Sequence, residues 1–426
     1  MLCWVSIVRL GLVQMCLGAI VVLMTSTLNR LMVVELALPA VLPGLLVGLH
    51  YGIQITRPNW GYRSDTGGNR TVWIVGGMAV LGLGALLAAF GVMVMETAFA
   101  SGLVLSVLAY ALIGIGVGAS GTSLLALLAA ATHPRRRAAA ATITWLMMIF
   151  GIAVTATVAG MFLDPYSAQR LVAVVAVVCL SAVVLTALAT WRIARGVAAA
   201  APEVRKPFRM GLAEIWAEPE ARAFTLFIFL SMNAYFMQEL ILEPYAGLVF
   251  GLTPGQTTQL SGAQNGGVFL GMLAVGIAAT GLRLGTLRAW VVAGCAGSAA
   301  ALMLIAALSE IGPALLVPAV VALGLFNGMF AVAAIGSMMA LAGQGRTGRE
   351  GTRMGLWGAS QALAAGLGGL SGAAAVDLLR FVLPDGGAFA AVFVAEAMLF
   401  VVAGMLAYRV LGGVKQAPQG ALMPGE

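Results

Sequence analysis

The feature that most constrains the fold of this chain is a series of apolar runs, each long enough to cross a lipid bilayer as a helix. A bilayer core of roughly 30 Å requires about 20 apolar residues in helical form. Such runs lie near residues 9–28, 36–55, 72–95, 99–128, 138–162, 171–190, 223–247, 261–280, 287–309, 312–342, 354–376 and 389–410. Because lipid offers no partner for unpaired backbone groups, these runs predict an all-α polytopic membrane protein with twelve transmembrane helices.

The composition agrees with a membrane protein and excludes an ordinary soluble one. Hydrophobic residues make up 61% of the 426 residues and charged residues only 9%, whereas soluble chains average about 25% charged residues. The 55 glycines are typical of helices that approach one another closely in lipid.

The distribution of charge predicts the orientation in the membrane. The formal net charge is +7, and of the 23 Lys and Arg residues all but Arg30, Arg170 and Arg380 fall on the side that carries both termini. Such an asymmetry is typical of cytoplasmic loops. We therefore expect a multi-pass protein of a bacterial inner membrane with both termini in the cytoplasm, and no nucleic-acid partner.

A charged segment divides the chain into two halves. We expect a six-helix bundle over residues 1–190, a cytoplasmic loop over 191–222, a second six-helix bundle over 223–410 and a cytoplasmic tail over 411–426. The halves show weak internal repetition, because SLLAL from Ser123 is echoed by SMMAL from Ser337, and Trp145 by Trp357. The offsets of 214 and 212 residues indicate two parallel six-helix repeats with a cleft between them.

A polar turn between the second and third runs resembles a known motif. It contains Gly61, Arg63, Asp65, Gly68 and Arg70. The pattern G-x-x-x-D-x-x-G-x-R at this place is similar to the loop of the major facilitator superfamily. Glycine permits the sharp turn, and an Asp beside arginines provides charge-assisted bonds that can lock a moving loop. The alternative is a connector whose only role is to turn the chain.

Residues for catalysis are sparse. His50 and His133 are the only histidines, the four cysteines are scattered, and we find no nucleophile elbow or phosphate-binding loop. We therefore expect neither an enzyme nor a protein-bound metal site.

Polar residues inside the apolar runs mark candidate binding positions. A carboxyl group in hydrocarbon is costly unless it faces a cavity or a partner. The candidates for binding a substrate are His50, Gln54, Asn233, Gln238 and Glu396. For Glu396, a structural hydrogen bond and a proton or ligand role both remain open.

Two helix exits on the outer side predict a gate. The first exit supplies Asn29, Arg30 and Glu35, and the seventh helix supplies Glu239 and Glu243. Arg30 has two candidate partners, Glu35 in its own segment and Glu243 across the cleft. The alternative is a solvated rim of charges at helix ends.

His50 can be interpreted in two ways. A neutral imidazole in apolar surroundings is a natural axial ligand for a metal at the centre of a macrocycle. A histidine inside a helix bundle is also a common hydrogen-bonding group, and the sequence leaves both interpretations open.

Longer strings give a narrower resemblance. Residues 27–36 (TLNRLMVVEL), 50–54 (HYGIQ) and 238–247 (QELILEPYAG) look like the PucC family, the bacteriochlorophyll delivery branch of the major facilitator superfamily. The resemblance implies a role in assembling light-harvesting complexes, with bacteriochlorophyll or a late precursor as ligand and no tightly bound cofactor. It also implies chlorophyll synthase and light-harvesting polypeptides as partners.

Two other functions fit the residues. One is a proton-coupled exporter of a small amphipathic solute, with Glu396 or Glu243 as the coupling acid. The other is a scaffold that docks chlorophyll synthase and antenna subunits without transport.

Overall fold

The structure is a computed structural model that describes residues 2–57, 60, 70–132, 137–193, 216, 218–281, 284–344 and 350–411. The described residues form twelve long helices. They are α1 (Trp4–Val22, continued by π-helical turns Leu23–Leu28 and Leu31–Glu35), α2 (Val41–Ile53), α3 (Arg70–Met95), α4 (Phe99–Ala131), α5 (Arg137–Leu163), α6 (Ala168–Thr190), α7 (Pro219–Phe250), α8 (Pro254–Gly276), α9 (Leu287–Ile311), α10 (Leu316–Gln344), α11 (Glu350–Leu379) and α12 (Asp385–Val410).

The number and type of the elements confirm the prediction of a twelve-helix polytopic membrane protein. Eleven of the helices are long and apolar enough to span a bilayer, and the twelfth is the shorter apolar helix Val41–Thr56. The sequence placed this second span at 36–55. Its first residues instead form the turn after α1, where Ala37 adopts a left-handed φ of 51°, so the helix begins later than its apolar run.

Two other boundaries differ from the sequence interpretation. The first helix continues to Glu35, well beyond the expected end near residue 28. α7 begins at Pro219, inside the segment assigned to the loop, and Pro at a helix start costs no hydrogen bond. α7 then runs through Pro244 without ending.

The outer faces of the helices are apolar. On α6 the side chains of Val177, Leu180, Val184 and Leu188 follow helical spacing and are all exposed. An exposed stripe of aliphatic residues would be unfavourable in water but suits contact with lipid tails. The chain is a multi-pass membrane protein.

Buried apolar side chains form two large cores, one in each half of the chain. The first contains residues of α1 to α6 together with Leu240 of α7. The second contains residues of α7 to α12 together with Ile149 of α5. We call the first six helices the N bundle, the last six the C bundle, and the surface where they meet the seam.

The helices α5 and α8 pack almost backbone to backbone across the seam. A Cβ at Gly160 would lie 2.6 Å from the carbonyl oxygen of Gly255, and one at Gly262 would lie 2.3 Å from Oγ1 of Thr157. Real side chains do not approach so closely, so glycine is required for this contact. The seam is also formed by α2 against α11 and by the π-helical end of α1 against α7.

Candidate functional site

The end of α1 is bonded to the C bundle at the far end, our name for the end of the molecule opposite the chain termini. Arg30 is 2% exposed and forms an ion pair with Glu35 of its own helix. Its Nη2 also donates to the carbonyl oxygen of Leu252 at 2.8 Å, across the seam. The arginine therefore joins the two bundles while its charge is neutralised within α1.

Asn29 satisfies a carbonyl group that Pro244 leaves without a helical partner. Proline has no N–H group, so the carbonyl of Leu240, four residues earlier, loses its helical hydrogen bond. Nδ2 of Asn29 donates to this oxygen at 2.7 Å. Asn29 is fully buried. The exit of α1 and the proline of α7 thus form one unit across the seam.

Two pairs of hydroxyl groups lie beside this unit. Oγ of Ser26 and Oγ of Ser261 are 2.8 Å apart, and Oγ1 of Thr27 and Oγ1 of Thr258 are 3.1 Å apart. All four residues are buried, and each pair joins α1 to α8. In each pair one hydroxyl group donates to the other, so the two bundles are joined here by neutral hydrogen bonds, which are weaker than bonds to charged groups.

Two aspartates bind the starts of helices in the opposite bundle. Asp377 lies near the end of α11. Its carboxylate accepts hydrogen bonds from the backbone N–H groups of Ala40, at 2.9 Å, and Val41, at 2.7 Å, at the start of α2. A carboxylate at a helix N-terminus pairs with unsatisfied N–H groups and with the positive end of the helix dipole.

Asp164, after the end of α5, makes the equivalent contact with α8. Its carboxylate accepts the hydroxyl group of Thr253 at 2.6 Å and the N–H group of Gly255 at 3.1 Å. Asp164 and Asp377 are 213 residues apart, as are the first residues of α2 and α8. Each bundle thus closes on the second helix of the other, and we call these two contacts the aspartate latches.

Glu243 and Glu239 lie on α7 next to this closed end. Glu243 is 2% exposed, with the hydroxyl groups of Ser26, Thr257 and Ser261 and the charge of Arg30 nearby. In spite of these neighbours, neither carboxyl oxygen makes a hydrogen bond of ordinary length and angle within the described part of the chain.

Glu239 lies one turn before Glu243, where Thr25, Tyr51 and Tyr235 are its neighbours. The rings of Tyr51 and Phe236 approach edge to face across the seam at 6.0 Å, and those of Tyr235 and Phe236 at 5.1 Å. These three residues are only partly buried. We call Tyr51, Tyr235, Phe236 and Glu239 the aromatic cluster.

Two groups that follow His50 in the chain, just after α2, determine its tautomer. Arg57 has only donors and binds Oε1 of Gln54, so the amide group of Gln54 must donate to Nε2 of His50, which lies 2.9 Å away. The proton of the imidazole is then on Nδ1, which is buried without a partner among the described residues. Neither nitrogen offers a free lone pair, so His50 does not fit an axial ligand in this arrangement. Ligation would first require Gln54 to turn away, and it stays a prediction.

The remaining candidates lie in different places. Gln238 is 2% exposed on α7. Asn233 lies about one and a half turns earlier and is partly buried, and its backbone carbonyl oxygen contacts Gly368 of α11. Glu396 is fully buried on α12, which packs against α7, α9 and α11 of its own bundle. Glu396 therefore belongs to the core of the C bundle and is not brought to the seam with the other candidates.

The predicted polar hinge lies outside the described residues, except for its last member. Gly61, Arg63, Asp65 and Gly68 are not described, while Arg70 begins α3 and donates to the carbonyl oxygen of Ala126 at 3.1 Å. This bond ties α3 to α4 within the N bundle.

Tyr166 lies in the connection between α5 and α6 at the far end. Burial, followed by the charges of Glu96 and Glu35, raises the pKa of its hydroxyl group to about 12. Tyr166 is therefore a neutral hydrogen-bonding group beside Arg30 and Glu35 at physiological pH.

Comparison with known sequences places this arrangement in a family. The sequence profile described as PUCC protein matches residues 27–414. The chain belongs to the PucC family. One relative, the bacteriochlorophyll synthase 44.5 kDa chain of Rhodobacter capsulatus, is 66% identical over 424 residues, covering 99% of both chains. The protein PucC of Rhodobacter capsulatus is 30% identical over 422 residues, covering 93% of this chain and 90% of that protein. Membership makes this chain a photosynthesis-related membrane protein.

Solved structures show that this PucC-family protein has the major facilitator fold. A bacterial homolog of the human lysosomal transporter Spinster aligns with a TM-score of 0.70 and 17% identity, covering 97% of this chain and 98% of that one. The peptide transporter POT, as its E310Q mutant with alafosfalin, aligns with a TM-score of 0.71 and 15% identity, covering 96% and 94%. At such low identity the likeness concerns the fold alone.

Proposed function

We propose that this protein binds bacteriochlorophyll, or a late precursor, at the seam and passes it to light-harvesting or photosystem polypeptides during their assembly. The observation that supports it is the PucC match over residues 27–414, together with a relative named for bacteriochlorophyll synthesis. The setting we propose is the bacterial inner membrane, with both termini in the cytoplasm.

The aromatic cluster suits such a ligand. A phytylated tetrapyrrole is a large, flat and apolar ring system with a few carbonyl groups at its edge. Partly exposed aromatic rings stack on such a surface, and tyrosine hydroxyl groups donate hydrogen bonds to carbonyl oxygens. Tyr51 and Tyr235 place both properties on the two sides of the seam, and Phe236 lies between them.

We propose a non-enzymatic role. The word synthase is part of the name of the relative. A protein with a transporter-type fold that works together with a pigment-synthesis enzyme could carry such a name without being an enzyme itself. In this proposal the protein receives pigment from chlorophyll synthase and holds it away from water until an antenna polypeptide takes it. Fold alone does not determine function, so the site must be tested directly.

The buried carboxyl group of Glu243 favours one second candidate. A carboxyl group at the surface between two bundles is well placed to couple proton movement to a change in their contact. A proton-coupled exporter of an amphipathic solute would use it in that way.

Purification from a phototrophic host tests the proposal. The protein is extracted in a mild detergent, and its absorption spectrum is compared with those of Tyr51→Ala and Phe236→Ala variants. Leu180→Ala, on the exposed face of α6, is the matched control. We expect co-purified pigment with the wild type and the control, and several-fold less with both seam variants.

Three results would contradict pigment binding at the aromatic cluster. Pigment-free protein that retains antenna subunits would favour the scaffold, and proton-linked solute movement in liposomes without pigment would favour the exporter. Equal pigment content in all variants would place the ligand elsewhere. His50→Ala belongs in the same series, because an unchanged pigment band would remove His50 from the candidate ligands.

A further inference from the structure

Glu243 is surrounded by groups that could stabilise its anion but do not. The hydroxyl groups of Ser26 and Ser261 bond to one another at 2.8 Å, and the hydroxyl of Thr257 donates to the carbonyl of Pro254 at 3.1 Å. Within the described part of the chain, neither oxygen of the buried Glu243 carboxyl group has a hydrogen-bond partner of ordinary geometry. A charged carboxylate in such a place would be strongly unfavourable. The closed seam therefore disfavours the charged form of Glu243.

Arg30 is a partner that Glu243 does not use in this arrangement. The guanidinium binds Glu35 and the carbonyl of Leu252, while its Nε is buried without a partner among the residues described. It lies against Gly247, one turn after Glu243, where a Cβ would be only 3.3 Å from Nε and Nη2. Because its charge is already paired with Glu35, the guanidinium forms no ion pair with Glu243 in the closed arrangement.

We propose that Glu243 is a proton-binding site whose protonation is coupled to closure of the far end. Opening separates α1 from α8, so the Ser26–Ser261 and Arg30–Leu252 bonds break. Water that enters at the far end, together with the freed hydroxyl group of Ser261 in the same bundle, then stabilises the Glu243 carboxylate and accepts its proton. One proton is released on opening and one is taken up on closing, without any other chemical change.

Other acidic groups surround this region but are held differently. They include Glu35, Asp164, Glu239, Asp377 and Glu396. Three of them, Glu35, Asp164 and Asp377, are bound by a charged group or by backbone N–H groups. These partners stabilise the ionised form of each carboxyl group. Glu239 belongs to the aromatic cluster, and Glu396 lies in the core of the C bundle. Glu243 is the buried acid that lies at the seam without a hydrogen-bond partner among the described residues.

The proposal does not depend on what the seam carries, so it can be tested without a ligand. Spin labels at Thr97→Cys and Ile311→Cys lie on exposed far-end positions of the two bundles. Cys3, the exposed native cysteine, is replaced by Ser. The distance distribution between the labels is measured in lipid nanodiscs over a range of pH and gives the ratio of open to closed molecules.

A single coupled proton fixes the size of the effect. Because the open form binds one proton fewer, the open-to-closed ratio should rise with pH by up to about tenfold per pH unit. Glu243→Gln, which is neutral at every pH, should stay closed and lose this dependence. Glu396→Gln is the matched control, since it neutralises a buried carboxyl group away from the seam, and it should retain the wild-type profile.

Two results of the distance measurements would contradict proton binding at Glu243. A ratio that does not change with pH in the wild type, or the same pH profile in Glu243→Gln, would overturn the assignment. If the Gln variant does not fold, Glu243→Asp replaces it and should keep a pH-dependent ratio with a displaced midpoint. The infrared C=O band of a protonated carboxyl group should in addition diminish on opening, and a constant band would contradict proton release.

Discussion

The bond between Asn29 and the carbonyl of Leu240 can be tested by restoring the N–H group that Pro244 lacks. In the wild type, Asn29→Ala leaves this buried carbonyl without a donor, because the helix cannot supply one. In a Pro244→Ala background the new alanine N–H donates to the same oxygen. The effect of Asn29→Ala should therefore be smaller in that background.

The magnitude follows from the groups that lose a partner. A buried carbonyl left unpaired costs about 1–3 kcal/mol. Asn29→Ala also removes Oδ1 of Asn29, which is itself buried without a partner among the described residues, so the effect of the single substitution is the difference of two terms. The loss of Oδ1 occurs in both backgrounds and cancels in a double-mutant cycle. The coupling energy then reports the Leu240 carbonyl alone, at about 1–3 kcal/mol.

Thermal unfolding of the four proteins in one detergent measures this coupling. We expect Asn29→Ala to lower the unfolding midpoint more in the wild-type background than in the Pro244→Ala background, by about a few degrees at most in a chain of this size. Asn265→Ala is the matched control, because its amide donates to the carbonyl of Ser261 within α8 and its effect should not depend on residue 244. Equal effects of Asn29→Ala in both backgrounds would refute the reasoning.

Two further predictions concern closure of the far end and use the same pair of spin labels. Asp164→Asn and Asp377→Asn each remove a charge from hydrogen bonds at a helix start, so we expect each to weaken closure by about 1–2 kcal/mol and to raise the open-to-closed ratio roughly five- to thirtyfold. Asp385→Asn, whose partner Arg380 lies in the same bundle, should change nothing, and an equal effect there would contradict the latches. Gly262→Val should force α5 and α8 apart and raise the open fraction, whereas Gly266→Val on the same helix meets open space; similar behaviour of the two variants would contradict a glycine-dependent seam.

Hydropathy determined most of the fold because lipid allows few alternatives. Every apolar run of spanning length became a helix, since the bilayer requires each segment to satisfy its own backbone groups. The turn at 36–40 was missed because its residues are as apolar as those of a span, and the left-handed Ala37 leaves no compositional signal. Composition reports the surroundings of a segment, and it does not report where the helix begins.

The candidate site was only partly predictable for a related reason. A polar residue in an apolar run must face something, but a single helix does not show whether that is the seam or the core of one bundle. Glu243 and Glu396 look alike in sequence, and only the packing of α7 and α12 separates them. The hydroxyl groups of Ser26 and Ser261 gave no signal, because such residues are common in transmembrane helices.

The aspartate latches were missed although the internal repeat contained their signal. Asp164 and Asp377 are separated by 213 residues, between the offsets of 214 and 212 that relate the two halves. A carboxylate at the end of a span is usually interpreted as a solvated group. An aspartate at the equivalent position of the other repeat, together with the equal spacing of the helix starts Val41 and Pro254, would have indicated that both aspartates make the same kind of contact.

The symmetry of the latches also indicates how the bundles can move. Each bundle provides one aspartate and one helix start, so tilting one bundle away from the other at the far end lengthens both contacts together. A motion confined to one side would break one latch and keep the other, at the cost of distorting a bundle whose core is tightly packed. Rigid rocking of whole bundles is therefore the motion that these contacts oppose, and the buried hydroxyl pairs and Glu243 lie on the surface that such rocking would expose.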